Sequence, residues 1–93
     1  MVEYELTLVT KATVSNEDLE KFIEEITKII TDGKGDVINI ENWGKKQLAY
    51  EIEKQRSGVY TLFTFKSEPS ILKAINKKLK ISDQVLRYLT VKK

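Results

Sequence analysis

From Glu3 to Val9 the chain alternates, with Tyr4, Leu6 and Leu8 on one face and Glu5 and Thr7 on the other. A period of two with this composition predicts a half-buried strand. The period then changes. Leu19, Phe22, Ile23, Ile26, Ile29 and Ile30 recur at helical spacing and form one broad apolar stripe. Ser15 or Asn16 offers an N-cap, and Glu17, Asp18 and Glu20 crowd the first turn, where the helix dipole favours negative charge. The stripe ends at Asp32-Gly33-Lys34-Gly35, where a glycine is expected to take the left-handed cap conformation.

The second half repeats the theme with a hairpin in front. Val37 to Trp43 reads as a strand that Gly44 interrupts, and it resumes from Gln47 to Glu53. A glycine inside a strand marks a bulge or bend. Gln55 to Gly58 is the expected turn, and Val59 to Lys66, rich in β-branched and aromatic residues, is the returning strand. Ser67-Glu68-Pro69 then opens a helix, with serine as the expected cap and proline in the first turn, where its missing N–H does no harm. Ile71, Leu72, Ile75 and Leu79 make its stripe, and Val85 to Val91 is a last strand.

The order strand, helix, strand, strand, helix, strand predicts a single α+β domain over residues 1–93. Right-handed crossovers place both helices on one face of a four-stranded antiparallel sheet, the ferredoxin-like βαββαβ arrangement. The first and third strands belong in the centre and the second and fourth at the edges. The core should include Leu6, Leu8, Phe22, Ile26, Ile30, Ile75 and Leu79. In the last strand Arg87 shares its phase with Val85, Leu89 and Val91. Either Arg87 rides on an open face or a bulge resets the alternation.

Composition removes most chemistry. The chain has no cysteine and no histidine. Disulfides, thiolate or imidazole metal sites and histidine-activated nucleophiles are therefore excluded. Gly33 and Gly35 follow a helix, whereas a phosphate-cradling loop precedes one. No catalytic residues, metal or cofactor are expected, and the chain reads as a binder rather than an enzyme. No apolar run approaches the roughly 20 residues of a membrane span, and the opening Met-Val-Glu-Tyr-Glu reads as strand rather than targeting peptide.

The net charge of +2 conceals an asymmetry. Residues 1–41 hold ten acids and four lysines, a net of −6, while residues 42–93 hold twelve bases and four acids, a net of +8. Such a split points to one surface that attracts a polyanion. Trp43, Lys45, Lys46, Tyr50 and Arg56 cluster in the hairpin, Arg87 and Tyr88 lie on the last strand, and Lys77, Lys78 and Lys80 end the second helix. Bases neutralise phosphates and aromatics stack on unpaired bases. The third strand lacks the basic-glycine-aromatic start of an RNA recognition motif, and Tyr60 falls on the face opposite Phe63 and Phe65.

One resemblance is specific. The run Trp43-Gly44-Lys45-Lys46-Gln47-Leu48-Ala49-Tyr50 is similar to the Gly-basic-basic-x-Leu-Ala-Tyr signature of the bacterial-type small-subunit ribosomal protein S-six family. Tyr4-Glu5 in the first strand, Gly58, Pro69 and Asp83-Gln84-Val85-Leu86-Arg87-Tyr88 fit the same family over nearly the full length. The chain departs from it at Glu51, where the family usually has proline, and at Val2 and Glu3, where many members carry arginine. The resemblance implies a structural constituent of the small subunit, located on a cytoplasmic or organellar ribosome. It implies binding to the central domain of small-subunit ribosomal RNA together with a small basic protein of the S-eighteen type. Tyr4, Trp43, Lys45, Lys46, Tyr50, Arg56 and Arg87 are the candidate RNA- or partner-binding residues, with no small-molecule substrate and no membrane. The competing expectation is a self-associating, ligand-sensing domain of the same fold.

Overall fold

A computed structural model describes residues 1–52 and 54–93. Six elements follow in the expected order: β1 (Val2–Lys11), α1 (Asn16–Asp32), β2 (Asp36–Ile52), β3 (Gln55–Ser67), α2 (Pro69–Ile81) and β4 (Val85–Lys92). The antiparallel sheet runs β2-β3-β1-β4, with β1 and β3 central. The strand end expected at Glu53 lies outside the described residues.

Alternation along β1 decides which side chains meet the helices. Tyr4, Leu6, Leu8 and Thr10 lie opposite Phe65, Phe63, Thr61 and Val59 of β3, and this row forms the floor of the core. Leu6, Leu8, Phe63, Phe65, Ile26, Ile30 and Ile75 are fully buried, and Phe22 and Leu79 nearly so. Burying each of the large side chains contributes about 1.5–3 kcal/mol. Every residue expected in the core is there.

The ends of the elements differ from the sequence reading in instructive ways. Ser15 caps α1 as expected, its Oγ accepting from the Asp18 N–H at 3.1 Å. At the other end Gly33 is not left-handed (φ −83°), and Lys34 takes that conformation instead (φ 65°). Gly33 is needed for space, because a Cβ there would collide with the Ile71 side chain. Ser67 does not cap α2. It is fully buried as the last residue of β3, its hydroxyl donates to Glu68 O, and Glu68 holds the cap position. Pro69 opens the helix as anticipated.

The turn expected at Gln55 to Gly58 is strand. The hairpin closes further out, where Ile52 pairs with Gln55 and Lys54 is left-handed (φ 65°). The pairing of β2 with β3 shifts three times: past Ile38, past Trp43, and between Gln47 and Ile52. At the second shift Gly44 adopts φ 78°, which L side chains rarely take. In β4 the register with β1 shifts between Val9↔Arg87 and Thr10↔Val85, leaving Leu86 as the extra residue. That bulge resets the alternation: Val85 and Tyr88 pack on the core while Arg87, Leu89 and Val91 are exposed.

Candidate nucleic-acid and protein interface

The sheet face away from the helices is uncovered, and its ladder partners form cross-strand rows. At one end Asp36, Lys66 and Glu3 stand side by side. The next rows bring Glu5 beside Thr64 and Val91, then Thr7 beside Leu62 and Leu89. Val9 lies between Tyr60 and Arg87, and Lys11 and Lys46 flank Gly58 at the far end. The face therefore grades from mixed charge, through an apolar middle, to bases. At the first end Lys93 Nζ reaches Glu3 at 3.5 Å and Glu5 at 3.8 Å.

The signature run gains a structural reason here. Gln47 pairs with Ser57 and Ile52 with Gln55, so Leu48 to Glu51 stand against Arg56 alone. Four residues opposed to one must arch out of the ladder. The arch crosses the open face: Leu48, Ala49, Tyr50 and Ile52 line one cavity with Val9, Tyr60 and Arg87. The Arg87 Nη1 donates to Tyr50 Oη at 3.2 Å, joining the two edge strands across the sheet. Beside it Thr7, Val9, Tyr60, Arg87 and Leu89 line a cavity of about 170 Å³. Val9 is 3% exposed although it points away from the helices, because this arch covers it.

The other candidates fall on either side of that centre. Trp43 is about half exposed at the bulge, and its Nε1 donates to Glu41 Oε2 at 3.1 Å. Lys46 Nζ sits 5.5 Å from the Trp43 ring centroid, a cation–π arrangement. Both lysines are exposed, but the bulge precedes them and their partners, Val59 and Gly58, are consecutive. Lys46 therefore points to the open face and Lys45 to the helix side. Arg56 lies 3.8 Å from Glu51 with its side chain largely in solvent, a pair that contributes little. Tyr4 is corrected outright: it is 6% exposed, with its ring 5.6 Å from Phe65, so it belongs to the core and not to a contact surface.

Lys11, Val9 and Leu62 were not singled out from sequence as open-face residues. Strict alternation from Tyr4 would have assigned Val9 and Lys11 to the solvent side of the first strand. Among the described residues no cluster of acids is arranged to hold a metal ion.

The fold and this face define a small α+β domain whose open sheet face is crossed by its own hairpin. Residues 3–92 match the family model described as ribosomal protein S6. The chain belongs to that family and is a small-subunit ribosomal protein. It is 40% identical over 89 residues to the small ribosomal subunit protein bS6 of Moorella thermoacetica, covering 96% of this chain and 91% of the relative. The corresponding protein of Heliobacterium modesticaldum is 32% identical over 93 residues, covering 100% and 97%. The crystal structure of 30S ribosomal protein S6 from Thermotoga maritima superposes with a TM-score of 0.92 at 27% identity, covering 99% of this chain and 87% of that one. The C-terminal domain of the MgtC protein from Mycobacterium tuberculosis shares the fold alone, at a TM-score of 0.63 and 8% identity.

Proposed function

We propose that this chain holds small-subunit ribosomal RNA of the central domain jointly with a small basic ribosomal protein of the S-eighteen type, and performs no catalysis. The observation that carries the reading is the junction of Tyr50 and Arg87 over the apolar floor of Val9, Tyr60 and Leu89. Arg87 there is held by the Tyr50 hydroxyl, and among the described residues no carboxylate pairs with it. Its remaining N–H donors are available to an anion, and a planar guanidinium grips phosphate bidentately. Lys46 and Lys11 extend the positive end, and Trp43 and Tyr50 supply exposed rings for stacking.

The apolar middle suits the protein partner. Leu89 and Val91 are each about half exposed, adjoining Leu62 and Thr7. Glu41 and Asp36 at the β2 edge add a negative rim that orients a basic chain and speeds its docking. The chain's own charge of +2 makes it a weak RNA binder alone. The test is a titration of small-subunit RNA with this chain, with and without the basic partner. The partner should raise RNA affinity by tenfold or more. Equal affinity in both arms would remove the joint-binding reading.

A further inference from the structure

We propose that the solvent face of α2 is a second RNA-binding surface, contacting the phosphate backbone of a double-helical segment separate from the one held at the open sheet face. The proposal rests on the RNA-binding reading above and extends it to the opposite side of the molecule.

The observation is an uncompensated lysine stripe. From Pro69 to Ile81 the helix carries Lys73, Lys77, Lys78 and Lys80 and no acid. Lys78 is spoken for: it is ion-paired with Glu25 of α1 and lies 5.5 Å from the Phe22 ring centroid. Lys73, Lys77 and Lys80 are exposed, and no acidic side chain among the described residues pairs with them. Their spacing of four and three residues puts them on one helical face, spread over about 10 Å of axis at roughly 1.5 Å per residue.

Helix electrostatics accounts for part of this stripe only. Lysines in the last turn complement the negative end of the dipole, which suits Lys78 and Lys80. Lys73 is the fifth residue of a 13-residue helix, closer to the positive end, and gains nothing there. Lys73 and Lys77 are also like charges four apart, an arrangement that destabilises a helix. A polyanion laid along the stripe reverses both costs.

The chemistry of the occupant follows from what accompanies the lysines. The exposed positions beside them, Ser70 and Ala74, bring no ring for a base to stack on. Ammonium groups without aromatics or a guanidinium fork act as point charges, which suit phosphates and carry no base readout. Trp43 and Tyr50 in the hairpin are the contrasting case. α2 packs on the covered face of the sheet and the Tyr50–Arg87 junction lies on the other, so RNA laid flat on the open face does not lie along α2.

The test uses the full chain with the basic partner and intact small-subunit RNA, measuring affinity against salt concentration. Lys73→Gln, Lys77→Gln and Lys80→Gln are combined in one variant. A control changes Lys21, Lys28 and Lys34 on and after α1, also exposed, to glutamine. The stripe variant should keep the wild-type melting temperature and lose about two to three units of salt slope, while the control keeps it. A wild-type slope in the stripe variant alongside weakened binding by Lys46→Ala would overturn this proposal and leave the sheet-face reading standing. Equal losses in stripe variant and control would reduce the stripe to bulk charge and overturn it too. Failure of the wild type to bind RNA at all would remove both readings. Amine-reactive footprinting in assembled subunits gives an independent readout, with Lys73, Lys77 and Lys80 expected to be shielded and Lys28 reactive. Shielding without a change in slope would assign the face to a protein neighbour and overturn the RNA assignment.

Discussion

Beneath the helices, the two central strands present Leu6, Leu8, Phe63 and Phe65 at zero exposure; on its other side the sheet presents Glu5, Leu62, Leu89 and Arg87 in a graded series. The first face is mostly apolar, with Thr10 and Thr61 among its buried polar members, because it answers chiefly to exclusion of water. The second passes from mixed charge at one end, through Leu62, Leu89 and Val9, to Lys11 and Lys46 at the other, a gradient that a solvated face does not need. The contrast teaches that burial accounts for most of the covered side, while on the open side the hairpin arch folds over Val9 and buries it.

Substitutions can break this contrast. The largest effect belongs to the covered face. Ile26→Ala should cost about 2–5 kcal/mol in urea unfolding, since the side chain is fully enclosed. Next comes Gly33→Ala, where the new methyl meets Ile71 and should cost about 1–3 kcal/mol as an overpacked contact. On the open face Leu89→Ala should change stability by no more than about 0.5 kcal/mol, yet weaken assembly with the basic partner at least tenfold in a binding titration. A stability loss matching that of Ile26→Ala would erase the distinction between the faces.

Two smaller changes sharpen the comparison. Tyr50→Phe deletes the acceptor for Arg87, and hydrogen exchange of the Leu48 to Glu51 amides should speed up while the core amides stay unchanged. Unchanged exchange would mean that the arch is held by its apolar contacts alone. Thr61→Val should raise stability by up to about 1 kcal/mol. Its hydroxyl is fully buried on the helix side with no hydrogen-bond partner, so removing it relieves a desolvation cost.

Local pattern was enough for the covered face. The period of two in Tyr4, Leu6 and Leu8 and the period of 3.6 from Leu19 to Ile30 are each set within a few turns of chain, and both appear as expected. The candidate site was legible as a list of residues but not as a place. Tyr50 and Arg87 are 37 residues apart, and their meeting depends on four residues of β2 facing one of β3. Their meeting also brings Leu48 to Ile52 over Val9 and Tyr60, a long-range arrangement that local propensity does not encode. Tyr4 was misplaced for a related reason: family resemblance marks a position without saying whether it contributes packing or contact. Gly33 reads as a cap from sequence because the closeness of Ile71 is a property of how two helices dock.

The central position of β1 has a consequence for timing. Its partners on one side run from Gly58 to Ser67, and on the other from Val85 to Lys92, the last of the six elements to be made. Local β2–β3 pairing can form as soon as that hairpin exists, whereas β1 must wait for distant chain, and each such closure costs loop entropy before any contact offsets it. During synthesis β1 can meet α1 early, but both of its ladder partners come later. Refolding should be slow relative to helical domains of this size, with the β1–β4 ladder the last to gain protection.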